Sequence, residues 1–152
     1  MKKISFYVLI ICLLAACQGN EIFKEYQDIA QLQWNKTQSI SFEADVQDTT
    51  SAVDWVVSLR HTSSMTQGDI KILLESVSPS GKTASQEYIL NIRNRQTGEL
   101  LGSAMGDMCD TDNTIESQLV FKESGKYKFK ITHLNEDVLP VLEVGFILRK
   151  AK

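Results

Sequence analysis

Ser39-Ile-Ser-Phe-Glu-Ala-Asp-Val46 alternates apolar and polar residues without a break: Ile40, Phe42, Ala44 and Val46 share one face, Ser41, Glu43 and Asp45 the other. A period of two is the repeat of an extended chain, whose successive side chains point to opposite sides. The stretch therefore reads as a strand with one buried face. The same period returns on both sides of it. Val53, Trp55, Val57 and Leu59 follow the turn-rich stretch 47–52, and Ile70, Ile72 and Leu74 follow the stretch 62–68. Tyr127, Phe129 and Ile131 alternate with Lys126, Lys128 and Lys130, and Val144, Phe146 and Leu148 close the chain. In Ala84 to Arg95, Tyr88, Ile89 and Ile92 would also suit a short helix face, but the β-promoting content favours a strand. Weaker strands are expected at Ile22 to Ile29 and Ile115 to Lys122.

That gives about eight strands and no helical stripe. The fold expected is all-β: an antiparallel two-sheet β-sandwich, immunoglobulin-like or jelly-roll in type. Pro79-Ser80-Gly81-Lys82 and Glu123-Ser124-Gly125-Lys126 put glycine where a reversal needs positive φ, so both are expected to be hairpin-type connections. Gly125-x-Tyr127 has the form of a strand entry at which the tyrosine packs into a corner.

The first sixteen residues differ from the rest. Lys2 and Lys3 precede the apolar run Ile4 to Ala16, which at about 1.5 Å per residue reaches roughly 20 Å, short of the ~30 Å that a spanning helix must cross. It reads as an export signal. The run ends in Leu14-Ala15-Ala16-Cys17, which resembles a bacterial lipobox. Residues 1–16 are then expected to be a cleaved signal peptide and 17–20 a lipidated cysteine with a short tether, leaving 21–152 as a single β-sandwich domain. The Cys17 thiol would carry a thioether-linked diacylglycerol and the freed amino group a further acyl chain. At about 0.8 kcal/mol per buried methylene, two or three such chains hold a protein at a membrane durably.

Cysteine usage fits this division. Cys12 leaves with the signal and Cys17 carries lipid, so Cys109 stands alone and no intrachain disulfide is possible. A lone cysteine is expected here as a small buried hydrophobe rather than a reactive thiol. Beyond Lys3 the chain carries 14 basic against 19 acidic residues, a net charge of −5. No basic stripe exists to displace phosphate counterions, so no nucleic acid is expected as a partner.

Catalytic equipment is sparse. His61 and His133, both expected near strand ends as solvated or partly buried structural residues, make neither a triad nor a metal site. No nucleophile elbow, phosphate-binding loop or Cys-x-x-Cys occurs. No enzymatic activity and no cofactor are expected. The segment Gly106 to Asn113 concentrates Asp107, Asp110 and Asp112 in what reads as an acidic turn. Calcium is the weak alternative there, since the spacing is not that of an EF-hand. Of the two tryptophans, Trp55 sits in a strand repeat and is expected in the core; Trp34 lies in a polar stretch and is the better candidate for exposure.

An ordered set of short marks covers nearly the whole chain: Cys17, Phe23-x-Glu25-Tyr26, Trp34-Asn35-Lys36, Phe42-Glu43, Asp48-Thr49-Thr50, Gly81-Lys82, Glu87-Tyr88, Leu101-Gly102, Gly106-Asp107, Ser124-Gly125-Lys126-Tyr127-x-Phe129 and Leu139-Pro140. In this order and spacing the chain resembles the gliding-motility-associated lipoprotein GldH family of Bacteroidetes. Two departures are the loop His61-Thr-Ser-Ser-Met65-Thr-Gln-Gly68, where the family tends to an aromatic-rich Tyr-Pro loop, and Cys109, where it tends to tyrosine. The resemblance implies a non-catalytic lipid-anchored envelope protein, an interaction or accessory component associated with gliding motility and the linked type IX secretion system. It also implies protein partners in an envelope assembly, and it does not imply that the organism glides. The alternative function is a ligand-binding module, for example for glycan. Asp48-Thr49-Thr50 resembles the acceptor of periplasmic O-glycosylation in Bacteroidetes, making Thr49 a possible glycan site. Gln18-Gly19-Asn20-Glu21 carries a single late carboxylate rather than an acidic export stretch. The expected location is the outer membrane, anchored by lipid and facing the periplasm.

Overall fold

The computed structural model describes residues 20–152, and the readings that fall on Cys12, on Cys17 and on the signal segment 1–16 lie outside them. Nine strands are formed: β1 (Glu21–Asp28), β2 (Ile40–Val46), β3 (Val53–Thr62), β4 (Asp69–Val77), β5 (Thr83–Asn91), β6 (Ser103–Met105), β7 (Met108–Leu119), β8 (Gly125–His133) and β9 (Val141–Lys150). They make two antiparallel sheets, one in the order β1-β9-β3-β7-β6 and the other β2-β8-β4-β5. The one helical element among the described residues is a single 3-10 turn, Ala30–Leu32. None of these residues forms a helix long and apolar enough to cross a membrane.

The alternation in β2 does what its period requires. Ile40, Phe42, Ala44 and Val46 are buried while Ser41, Glu43 and Asp45 are exposed. Phe42 pairs with Phe129 across the β2–β8 ladder. From the other sheet Phe146 closes on both, with ring centroids 4.6 Å from Phe129 and 5.8 Å from Phe42. One core therefore lies between the two sheets, in a sandwich-like arrangement whose main driving force is burial of these apolar faces. The central strands β3 and β9 are buried on their outer side as well: Val56 and Ile147 are each 1% exposed. Tyr26 of β1 lies across that outer surface above Gly145, where any Cβ would come within 2.5 Å of its ring. Gly145 is thus required for space, not for backbone conformation.

The expected count of about eight strands becomes nine among the described residues, because β6 and the first half of β7 form from 103–114, where no alternating hydrophobic face announces them. Two expectations are corrected. The segment Gly106 to Asn113 is a turn only at Gly106-Asp107; from Met108 onward it is ladder paired with β3. Pro79–Lys82 is a true hairpin, with Val77 opposite Thr83. Glu123–Lys126 is not one: β7 and β8 belong to different sheets, and this stretch carries the chain from one to the other. The connection is instead fastened from outside. The Glu123 carboxylate accepts the Ser80 backbone N–H at 3.0 Å, its hydroxyl at 2.9 Å and the Lys82 ammonium at 3.1 Å.

These bonds, led by the Ser80 hydroxyl, hold the Glu123 carboxyl down to about 2. A carboxyl lowered on folding stabilises the native state above its ordinary value, and that contribution fades as pH falls toward the folded value. Glu123→Gln is therefore expected to lower the unfolding midpoint at pH 7 and to match wild type near pH 2. A difference that persists undiminished at pH 2 would refute the clasp as a charge effect.

Candidate functional site

Lys126, Lys128 and Lys130 alternate with the buried Tyr127, Phe129 and Ile131, so β8 sends all three ammonium groups to the outer face of the four-stranded sheet. Acidic residues from the flanking strands meet two of them. Lys126 bonds Glu43 of β2 at 2.9 Å, and Lys130 bonds Glu75 of β4 at 2.6 Å. The hydrogen bond from Lys126 is the chief cause of a lowered Glu43 pKa, and the reciprocal bond raises that of Lys126. Lys128, between them, has no ion-pair partner within 4.0 Å among the described residues. A groove of about 800 Å³ runs over this face, bordered by Lys128, Lys130, Glu43, Glu75 and the hydroxyls of Ser41, Thr83 and Ser85, with Glu25 of β1 at its margin. Charged and hydroxyl side chains there adjoin the apolar Val77 and Ala84. The face offers no aromatic platform for a sugar ring, because Phe42, Tyr127 and Phe129 all point into the core.

The residues singled out by sequence fall in several separate places. Trp34, expected to be exposed, is 0% exposed. The polar letters around it misled because its backbone is bridged to Leu139: each donates to the other's carbonyl at 3.0 Å, which pulls the indole between the sheets. The ring Nε1–H donates to the Gln38 carbonyl at 3.0 Å. His133 packs against the ring edge-on at 4.9 Å and donates from Nε2 to the Trp34 carbonyl at 3.0 Å. Burial is the chief cause that lowers the His133 pKa. Trp55, expected in the core, is half-buried at its edge.

His61 and His133 are both 0% exposed, more deeply placed than expected, and stand in different sheets. Around His61 every donor finds an acceptor. Its Nδ1 lies 2.9 Å from the Thr62 carbonyl and its Nε2 3.1 Å from the Thr111 hydroxyl, which donates to the Leu101 carbonyl at 3.0 Å. The Cys109 thiol donates to the Leu101 carbonyl at 3.2 Å, and Cys109 is 1% exposed. This is the buried, satisfied network that protein interiors favour.

The acidic trio is spread along a strand. Asp107 sits in the turn, Asp110 is engaged by Arg60 through two bonds of 2.7 and 3.0 Å, and Asp112 faces Arg149 at 3.6 Å. Among the described residues no three His, Cys, Asp or Glu side chains converge as a metal ion needs. Asp48 turns its carboxylate inward on its own loop. Oδ1 accepts the Thr50 N–H at 2.8 Å and its hydroxyl at 2.7 Å, and Oδ2 accepts the Ser51 hydroxyl at 2.5 Å. Those bonds hold the Asp48 carboxyl well below its ordinary range, with the Ser51 hydroxyl the largest cause. Thr49, at the tip of this fixed turn, is half-exposed.

Comparison with known proteins bears on the whole domain. A family model described as GldH lipoprotein matches residues 21–147. A protein of Christiangramia forsetii named gliding motility lipoprotein GldH homolog is 28% identical over 98% of this chain and 96% of its own length. The gliding motility lipoprotein GldH of Flavobacterium johnsoniae is 26% identical over 91% of this chain and 82% of its own. Among solved structures, TmCBM61 in complex with β-1,4-galactotriose aligns over 84% of this chain and 88% of its own at 12% identity. Its TM-score is 0.31, too low to carry an argument about fold or ligand.

Proposed function

The chain belongs to the GldH lipoprotein family, and from that premise we propose that it is a non-catalytic accessory lipoprotein that works by contact within a cell-envelope assembly. The observation that carries this reading is the family match over 21–147, which spans the β-sandwich from β1 to the inner residues of β9. Two relatives bear names that place them in gliding motility. The chemistry of the folded domain supports a role by contact: His61, His133 and Cys109 are buried, and a groove on the outer face of the four-stranded sheet carries charged and hydroxyl side chains.

Anchorage belongs to Cys17 in this reading, with residues 1–16 removed and 17–20 left as the tether. Asn20 supports a short tether, since its carbonyl already accepts the Lys150 N–H at 2.7 Å. The domain then starts a few residues from the bilayer. We take that bilayer to be the outer membrane, with the domain on its periplasmic side; protease added to intact cells should leave the domain whole, and digestion without lysis would reverse the orientation. Thr49 remains a candidate for O-glycosylation on the exposed Asp48 turn. The interleaved orders β1-β9-β3-β7 and β2-β8-β4-β5 support a jelly-roll over an immunoglobulin-like connection.

The test of the contact reading is purification of the tagged, lipidated protein from envelopes in mild detergent. A stoichiometric protein partner is expected. Recovery of the chain alone would contradict the proposal.

A further inference from the structure

The four-stranded sheet ends on β5, a nine-residue strand that is exposed along most of its length. Exposed edges are hazardous because their unpaired backbone groups template pairing with other chains, and proteins blunt them with lysine, proline, bulges or brevity. Two of the other edges of this fold are so treated: β6 has three residues and β1 carries a register shift near Glu21, while β2 is shorter, at seven residues, and carries two carboxylates, Glu43 and Asp45. Strand β5 has no proline, no lysine and one charge, Glu87, and it pairs with β4 over nine residues without a shift.

Its free backbone groups can be assigned. At the two ends of the β4–β5 ladder Ser78 donates to Lys82 at 2.8 Å and Ile92 donates to Gly68 at 3.0 Å. Antiparallel pairs alternate, so Ala84, Gln86, Tyr88 and Leu90 turn their backbone groups to β4, and Thr83, Ser85, Glu87, Ile89 and Asn91 turn theirs outward. Asn91 shows what an outward residue seeks. Its N–H donates to the Asn113 side-chain oxygen at 2.7 Å, and its carbonyl accepts the Asn113 amide at 3.3 Å. Asn113 of β7 thus imitates the next strand for one residue. Beyond it, only the Glu87 carbonyl finds a partner, the neighbouring Gln86 amide at 3.2 Å.

The inner side of the same edge overhangs a cleft. About 400 Å³ opens between the sheets there, walled by Trp55, Ala84, Leu119, Val120, Phe121 and Tyr127. The Trp55 Nε1–H is buried without a hydrogen-bond acceptor, and Val120 at the rim is 47% exposed. An unpaired buried donor costs the free energy of its lost hydration. An apolar cleft, an unsatisfied indole and an unpaired strand edge therefore meet at one place.

We propose that the β5 edge is a strand-addition site for an extended segment of an envelope protein partner. The segment pairs with Ser85, Glu87 and Ile89 and sends an apolar side chain into the Trp55 cleft. This rests on the contact reading above and names its surface. In strand addition, main-chain bonds supply affinity and alternate side chains supply specificity. Charge selects the partner further: Lys122 at the cleft has no ion-pair partner within 4.0 Å among the described residues, and neither has Glu87. A segment with an acidic residue over Lys122 and a basic one across from Glu87 is complementary. A second copy is a poorer occupant, because antiparallel self-pairing about Glu87 sets two carboxylates opposite one another.

The test is amide hydrogen exchange over residues 83–91, in the lipidated protein within its detergent-extracted assembly and in the same protein purified alone. Alone, the amides of Ser85, Glu87 and Ile89 should exchange fast beside protected Gln86, Tyr88 and Leu90. In the assembly the outward three should slow by about tenfold or more. Glu87→Gln reports the loss of the carboxylate alone, and Glu87→Pro removes the outward N–H as well, which an edge strand tolerates. Glu87→Pro should keep the wild-type unfolding midpoint and drop out of the assembly, and Glu87→Lys should weaken retention without touching the ladder. Unchanged exchange in an intact assembly, or wild-type retention of Glu87→Pro, would overturn the strand-addition site and leave the contact reading standing. Protection that grows with concentration in the purified protein, together with a dimer in sedimentation, would assign the edge to a second copy and overturn the proposal. A wild-type chain extracted alone would remove both.

Discussion

Trp34→Ala is expected to lower the unfolding midpoint by roughly 10 °C, the largest stability loss of any single substitution considered. Removing a fully buried aromatic costs about 3–5 kcal/mol, and in a domain of this size each kcal/mol shifts the midpoint by about 2–4 °C. Position adds to size here. Trp34 joins the segment after β1 to the segment before β9 through its backbone bridge with Leu139, and its carbonyl is the acceptor for His133. The truncated site would leave a cavity between the sheets with the His133 ring on its wall. Thermal unfolding followed by circular dichroism reads the effect. A midpoint within 2 °C or so of wild type would show that the bridge, not the indole, carries the packing.

Cys17→Ser is expected to move the protein from the membrane fraction to the soluble one. Serine lacks the thiol that accepts the diacylglycerol, so the acyl chains that would hold the protein are never attached; a single chain gives only marginal binding, and two or more are needed for a durable anchor. Among the described residues no helix is long and apolar enough to cross a membrane. Centrifugation of lysed cells reads the outcome. A Cys17→Ser protein that still pellets and is not extracted by carbonate would mean a different anchor.

The strands were legible wherever one face of a sheet is buried and the other is wet, as in β2 and β8. There the period of two survives in the letters. It failed where no buried apolar face marks the strand, in β6 and the first half of β7. In β3 and β9 the alternating inner residues were legible even though Val56 and Ile147 are buried on the outer face as well. The first half of β7 has the opposite character: its outward Asp110 and Asp112 face guanidinium groups supplied by Arg60 of β3 and Arg149 of β9, partners that the local spacing does not reveal. Trp34 was misjudged because its neighbours are polar. What buries it is a bridge to Leu139, more than a hundred residues away in the chain. The edge of β5 was unreadable for a different reason. Whether a strand is central or terminal depends on sheet order, and only then does the absence of lysine and proline from Thr83 to Asn91 acquire meaning. Cys17 lies outside the described residues, and its lipidation is proposed from covalent chemistry alone.

That chemistry also supplies the most direct test of an account in which a folded contact module acts from a membrane tether. The intact mass of the detergent-extracted native protein should correspond to a chain that begins at Cys17 and carries a thioether-linked diacylglycerol with a further acyl group, and the peptide containing Thr49 in the same digest reports any glycan. A chain that retains residues 1–16, or that begins at Cys17 without lipid and is recovered in the soluble fraction, would contradict it.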